Sequence, residues 1–278
     1  MPITLREKIV RLENEGPIDP STVDFTVDNP EILKAEMGQS LAYGEAVEIE
    51  IPTTANVIRT ILPNMDEEEA RFIDIWDIQE AQHGVLLAVT REECDIEPLE
   101  TRDTIPGVMK VLGKITGLTS GLHDAVEMIY LTEAALGEKE TLLFYRRLEK
   151  ELLERGENPT ADLMRRIGSQ EAAHLSYYIQ AAREKRERLK PMQLAMIGRF
   201  IETTYSPVGV RMSRKDTTRL LHFGHAALEL TDGVVTTVTD PVEKLARDLL
   251  GTLAGSSKPF LRKRYLHYIE EYKDSIAA

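Results

Sequence analysis

Two stretches of this chain put a glutamate and a histidine three residues apart inside an apolar helical pattern. In Ile75–Leu87, IWDIQEAQHGVLL, the positions Trp76, Glu80, His83 and Leu87 share one helix face at 100° per residue. In the second stretch the face reads Met164, Ile167, Glu171, His174, Tyr178. Ionisable groups on a packing face are costly unless something pairs with them. Metal binding is the chemistry that uses such a pair: at i, i+3 spacing a carboxylate and an imidazole reach the same ion. Imidazole nitrogen suits iron, and incomplete coordination leaves positions for dioxygen. Four carboxylates would offset the charge of two divalent ions.

Spacing alone decides little. With this composition about 0.7 Glu-x-x-His pairs arise by chance, and two or more in roughly one chain in seven. Two further features add weight. Both pairs sit in an apolar stripe, where a solvated surface pair has no reason to be. Each also follows a glutamate-bearing helical segment at nearly equal distance, Glu48 lying 32 positions before Glu80 and Glu138 33 before Glu171. Glu45 and Glu50 in the first segment and Glu140 in the second are alternatives on spacing. The order Glu, Glu-x-x-His, Glu, Glu-x-x-His is that of bundles whose carboxylates bridge two metals. His123, His222, His225 and His267 lack the pattern and read as structural or exposed; His222-Phe-Gly-His225 has no carboxylate nearby to complete it.

The elements that must position these groups read as helices. A short helix is expected over 4–14, followed by a proline-rich lead-in. Residues 31–62 read as helical, although VEIEIPTT at 47–54 is strand-like in its β-branched content and Pro52 should kink or interrupt a helix. A clean amphipathic helix follows over 64–95, with Asn64 as N-cap and Asp66, Glu67, Glu68 and Glu69 at its start. From about 108 to 155 the pattern is helical, and Gly113, Gly117 and Gly121 suggest two helices. GENP at 156–159 is a stop signal, after which 160–188, 192–204, 214–232, 241–253 and 257–275 read as helices. No period-2 run argues for a sheet. The expected class is all-α, one domain over 1–278 with a core bundle at about 35–190 and additional C-terminal helices over 191–278.

Composition narrows the function. The 278 residues carry a formal net charge of −13, which argues against general nucleic-acid binding and against adsorption to anionic membranes. Cys94 is the only cysteine, so no intrachain disulfide forms. With no apolar signal core and no apolar run of spanning length, a cytoplasmic protein without membrane insertion is expected.

At these residues the chain resembles the soluble acyl-carrier-protein desaturases, ferritin-like di-iron enzymes of plants and actinobacteria. The family's W-T-A-E-E-N-R-H-G is similar to Trp76-Asp77-Ile78-Gln79-Glu80-Ala81-Gln82-His83-Gly84, which keeps tryptophan, glutamate, histidine and glycine in register. Its D-E-K-R-H resembles Gln170-Glu171-Ala172-Ala173-His174, where only the two ligands are kept. Its E-E-A-L-P-T-Y resembles Glu48-Ile49-Glu50-Ile51-Pro52-Thr53-Thr54, which selects Glu48 and accounts for a proline inside a helix. Its Q-E-R-A-T-F resembles Gly137-Glu138-Lys139-Glu140-Thr141-Leu142, which favours Glu138 over Glu140. The resemblance covers roughly 35–215 and looks like the compact bacterial branch.

It implies a ferritin-like four-helix bundle with flanking helices and two iron ions, with manganese as the alternative. Glu48 and Glu138 would be terminal ligands, Glu80 and Glu171 bridging ones, and His83 and His174 would supply one nitrogen to each ion. Thr141 matches a threonine beside the oxygen-binding side; by itself it also reads as a helix-interior hydroxyl bonded one turn back. The implied reaction is oxygen-dependent introduction of a cis double bond into an acyl chain on acyl carrier protein. A ferredoxin-type electron donor and a homodimer go with it. An oxygenase of another small molecule, or a metal-binding protein without desaturase activity, would use the same ligands. An acidic carrier would need a basic patch on this acidic chain, for which Arg183–Lys190 and Arg262-Lys263-Arg264 are candidates, though both also read as solvated helix ends. The family's aspartate before the second ligand glutamate is Gln170 here, and Trp76 does not occupy the place of the family's relay tryptophan.

Overall fold

The computed structural model describes residues 3–99, 120–208, 232–251 and 259–277. These form α1 (Leu5–Glu15), α2 (Pro30–Ile49), α3 (Ile51–Ile61), α4 (Glu67–Glu93), α5 (Ser120–Glu154), α6 (Asn158–Arg186), α7 (Pro191–Thr204), α8 (Asp232–Leu250) and α9 (Phe260–Ala277), with one 3-10 turn at Pro20–Thr22. No strand occurs among the described residues. No helix among them is long and apolar enough to cross a membrane.

Local chemistry sets the helix ends. Thr4 Oγ1 accepts from Glu7 N at 3.2 Å while the Glu7 carboxylate accepts from Thr4 N at 2.7 Å, a reciprocal cap that starts α1. At α4 the cap is Asp66, which accepts from Glu69 N at 2.8 Å, rather than Asn64. Aspartate there also adds negative charge to a helix N-terminus already favoured by Glu67, Glu68 and Glu69. The strand-like VEIEIPTT is helical on both sides of a break at Glu50. Pro52 has no N–H to donate to the Glu48 carbonyl, so the ladder stops and restarts with Pro52 in the first turn of α3.

α5 is continuous from Ser120, through Gly121; Gly113 and Gly117, the other two glycines expected to break the helix, lie outside the described residues, as do the first 18 positions of the helix expected over 214–232 and both His222 and His225. α8 begins nine residues earlier than expected and carries Pro241 inside it.

α2 packs along α4, α5 along α6, and α4 against α6, while α1 lies across α4 and α6 and α7 and α8 cover α5. Apolar packing divides into two halves. Phe72, Ile73, Trp76, Met128, Leu131 and Tyr178 belong to one, and Leu41, Leu86, Leu87, Leu148, Met164 and Ile167 to the other. Along α4 the order is first half, Glu80, His83, second half; along α6 it is second half, Glu171, His174, first half. The ionisable residues therefore form one layer between two apolar halves. Each buried leucine contributes roughly 1.5–3 kcal/mol, and this packing is what can support a charged layer whose unpaired burial would cost several kcal/mol per ion.

Candidate metal centre

Glu48 comes from the end of α2, Glu80 and His83 from α4, Glu138 from α5, and Glu171 and His174 from α6. None is more than 6 % exposed. They form two overlapping sets, Glu48–Glu80–His83–Glu171 and Glu80–Glu138–Glu171–His174, in each of which one ligand atom per residue lies within 4.8 Å of the others. Glu80 and Glu171 belong to both sets. Close approach of α2 to α4 depends on Gly84, beside His83: a Cβ there would come within 3.2 Å of Ile49 Cγ1 and 3.4 Å of Glu48 Cβ.

Several of the ligand atoms lie close together without forming hydrogen bonds. His174 Nδ1 is 2.9 Å from Glu80 Oε1, yet neither atom has a hydrogen-bond partner, because the contact is short but misaligned. Glu138 Oε2 and Glu171 Oε1 are likewise buried without a partner. His83 Nδ1 lies 3.3 Å from Glu80 and 3.1 Å from Glu171. Buried polar atoms without partners are rare in native proteins, and this cluster of them, among four carboxylates and two imidazoles, suits a metal-binding donor set. The buried Glu/His clusters could hold metal.

Electrostatics without an ion divides the six groups. Burial, then the Glu80 charge, holds the Glu48 carboxyl well above the usual range; burial, then the Glu171 charge, does the same to Glu138. Burial would also raise Glu80, but contacts with Glu48, His174 and His83 outweigh it and hold it well below. In Glu171, burial and the Glu80 charge are outweighed by contacts with His174 and His83, and its pKa is lowered. Burial disfavours the charged imidazoles, yet their carboxylate partners push His83 up to about 10 and His174 well above its ordinary value. These shifts favour protons on Glu48, Glu138, His83 and His174, where ions would otherwise offset the carboxylates.

The groups around the ligands repeat in pairs. Trp76 Nε1–H donates to Glu138 Oε1 at 2.9 Å, and the buried Tyr145 hydroxyl donates to Glu48 Oε1. Gln170 Oε1 lies 2.8 Å from His83 Nε2, and Gln79 Oε1 lies 2.7 Å from His174 Nε2. The sequence alone does not single out Tyr145, Gln79 or Gln170 for this role. One signal was present: a glutamine precedes each ligand glutamate, giving QEAQH and QEAAH.

Two of the alternative glutamates, Glu45 and Glu140, have other work, and Glu50 lines a cavity. Glu45 pairs with Arg91, and Glu140 accepts from the Tyr205 and Tyr265 hydroxyls and from Val208 N. Thr141 Oγ1 donates to Gly137 O at 3.1 Å and also lines the cavity beside the carboxylates. His123 lies 3.4 Å from Glu127 in a further set with Asp124, and Lys185 pairs with both of its carboxylates. Lys185, Arg186 and Arg264 of the two basic runs are engaged within the chain, on Glu127, Asp248 O and Glu202 O.

A cavity of about 290 Å³ meets the carboxylates of Glu48, Glu80, Glu138 and Glu171. On α3 its lining is one face, Ile51, Thr54, Val57, Ile58 and Ile61; on α5 it runs from Val126 to Thr141. At 1.5 Å per residue that is roughly 15 Å along α3 and roughly 22 Å along α5. Glu138 stands near the Thr141 end and Glu48 just before Ile51, so the carboxylates lie at one end of an elongated apolar space. Comparison of the chain with family models, with curated proteins and with solved structures yields no match.

Proposed function

We propose that this chain is a ferritin-like two-metal oxidoreductase that uses dioxygen on an extended apolar chain, most specifically as an iron-dependent acyl-carrier-protein desaturase. The observation that carries the reading is the elongated apolar cavity ending at four buried carboxylates. Val57, Ile61, Val126 and Ile129 offer a polar substrate no partner, whereas an acyl chain would exchange water for apolar contact along them; Glu50, Thr54 and Glu133 are among the polar residues that also line the space. The sequence resemblance to the desaturases points to the same substrate class.

Glu48, Glu80, His83 and Glu171 would hold one ion, and Glu80, Glu138, Glu171 and His174 the other. Two iron ions, when bound, supply the redox chemistry that activates dioxygen. The chain's own residues do the rest. Trp76 and Tyr145 orient the terminal carboxylates by hydrogen bonds to one oxygen each, leaving the other oxygen for the centre. The apolar walls exclude water and hold two adjacent methylene carbons in register with the carboxylate end. Desaturation then balances as follows: the chain gives up two hydrogens, an external donor supplies two electrons and two protons, and dioxygen leaves as two waters. Thr141, which lines the cavity and whose hydroxyl donates to Gly137 O, is the proposed proton-handling residue.

The test is incubation of iron-loaded protein with acyl carrier protein bearing saturated chains, ferredoxin and its reductase, read by mass. Loss of two hydrogens supports the desaturase; gain of one oxygen supports the oxygenase reading, which the same cavity and ligands allow; no change in any acyl chain, with iron bound, overturns both. Metal analysis tests the centre itself, with about two ions per chain expected.

A further inference from the structure

The two glutamines that contact the histidines share one anchor. Gln79 Nε2 donates to Gly16 O at 2.9 Å and to Leu12 O at 3.3 Å, and Gln170 Nε2 donates to the same Gly16 O at 2.7 Å. Both side chains are buried, at 0 % and 2 % exposure. A glutamine amide is ambiguous until its partners are known. Here a carbonyl oxygen on one side admits only the NH₂ group, so the amide oxygen must face the imidazole. An oxygen facing Nε2 in turn requires that Nε2 carry the proton. The chain of donors therefore runs from each histidine, through the glutamine of the opposite motif, to a single peptide carbonyl at the end of α1.

We propose that Gln79 and Gln170 are positioning residues that hold His174 and His83 as Nε2–H tautomers, with Nδ1 turned to the metals, and that the Gly16 carbonyl sets both at once. This rests on the two-metal reading. The crossing is specific: Gln170, in the motif of His174, orients His83, and Gln79, in the motif of His83, orients His174. Outer partners of this kind fix the ring and the tautomer of a ligating histidine. An amide differs from a carboxylate in adding no charge to a layer that already buries four carboxyl groups.

Gly16 itself is suited to one backbone shape. It has φ 63° and ψ −175°, a region that side-chain-bearing residues rarely adopt, yet a Cβ would meet nothing nearer than Glu13 O at 4.0 Å. Alanine at this position is thus accommodated in space but turns the carbonyl. α1 becomes part of the centre's construction, although it supplies no ligand.

The experiment loads the full chain with Zn(II), a diamagnetic probe, and follows the histidine ring N–H groups by ¹H–¹⁵N spectroscopy of ¹⁵N-histidine protein, alongside Zn(II) affinity. Wild type should show two slowly exchanging Nε2–H resonances and about two ions bound. Gln170→Leu should shift or lose the His83 resonance and leave that of His174; Gln79→Leu should do the reverse; Gly16→Ala should move both. Each should weaken metal affinity about 10- to 100-fold. Leucine variants that fail to fold are replaced by Gln170→Glu and Gln79→Glu, in which a carboxylate acceptor moves the resonance of the opposite histidine alone. Metal-loaded variants whose histidine resonances stay at wild-type positions, or whose effect falls on the histidine of the same motif, overturn the proposal while leaving the two-metal reading intact. Wild-type protein that takes up no metal overturns both.

Discussion

The Trp76 indole N–H donates to Glu138 Oε1 at 2.9 Å, joining the tryptophan of α4 to the carboxylate of α5 across the bundle. Trp76→Phe keeps most of the apolar volume and deletes the donor, so Glu138 loses the bond that aims its other oxygen at the centre. Retention of one ion and an affinity loss of about 10-fold for the other are expected, measured by metal titration. Two ions held at wild-type affinity would remove the orienting role from Trp76.

Sharing of Glu80 and Glu171 between the two ligand sets predicts an asymmetry among alanine variants. Glu80→Ala and Glu171→Ala should lose both ions. Glu48→Ala should keep one, because the set with Glu138 and His174 stays complete. Stoichiometry by elemental analysis checks this; one ion remaining in both bridging variants would contradict the shared arrangement.

Metal uptake should release protons. Without ions, burial raises the pKa values of Glu48 and Glu138, and carboxylate partners outweigh burial to raise that of His174 and push His83 up to about 10, while contacts with the histidines help hold Glu80 and Glu171 below their ordinary value. Ligand groups must shed such protons to bind, so ions should displace protons and affinity should rise with pH. Calorimetry in buffers of different ionisation enthalpy reads the proton count directly, and a count near zero would refute the assignment.

Glu140 gives a separate pH dependence to folding. Burial raises its carboxyl to about 7 against the hydrogen bonds from Tyr205, Tyr265 and Val208 that lower it. The folded state favours the neutral form, so this stability is fully present below the ordinary value of 4.5 and is lost as pH rises through about 7. The full span is worth about 3 kcal/mol. Glu140→Gln, which cannot ionise, should flatten the stability profile of metal-free protein between pH 5 and 8 in urea unfolding. An unchanged profile would place the titration elsewhere.

The distinction between Glu138 and Glu140 shows where sequence reasoning reaches its limit. Both have apolar neighbours, and a two-residue step on a helix turns a side chain by about 200°. Which of two opposite faces meets the centre depends on Tyr205 and Tyr265, more than 60 positions away. Asn64 and Asp66 differ for a simpler reason: both are good caps, and the choice falls to which one reaches the N–H of the first turn.

The order of residues by itself determined the helical class, the helix carrying Glu80 and His83, the helix carrying Glu171 and His174, and the oddity of ionisable pairs on packing faces, because each of these is a local periodicity. Tertiary structure alone decided that the six groups meet in one layer, that an apolar cavity ends there, and that Gln79 and Gln170 cross over to the opposite histidines. It also decided that the carbonyl of Gly16, just past the end of a helix with no ligand, accepts from both glutamines. Those relations depend on groups 62 to 154 residues apart being brought within hydrogen-bond distance, and no spacing along a single chain encodes which distant carbonyl a buried amide will find.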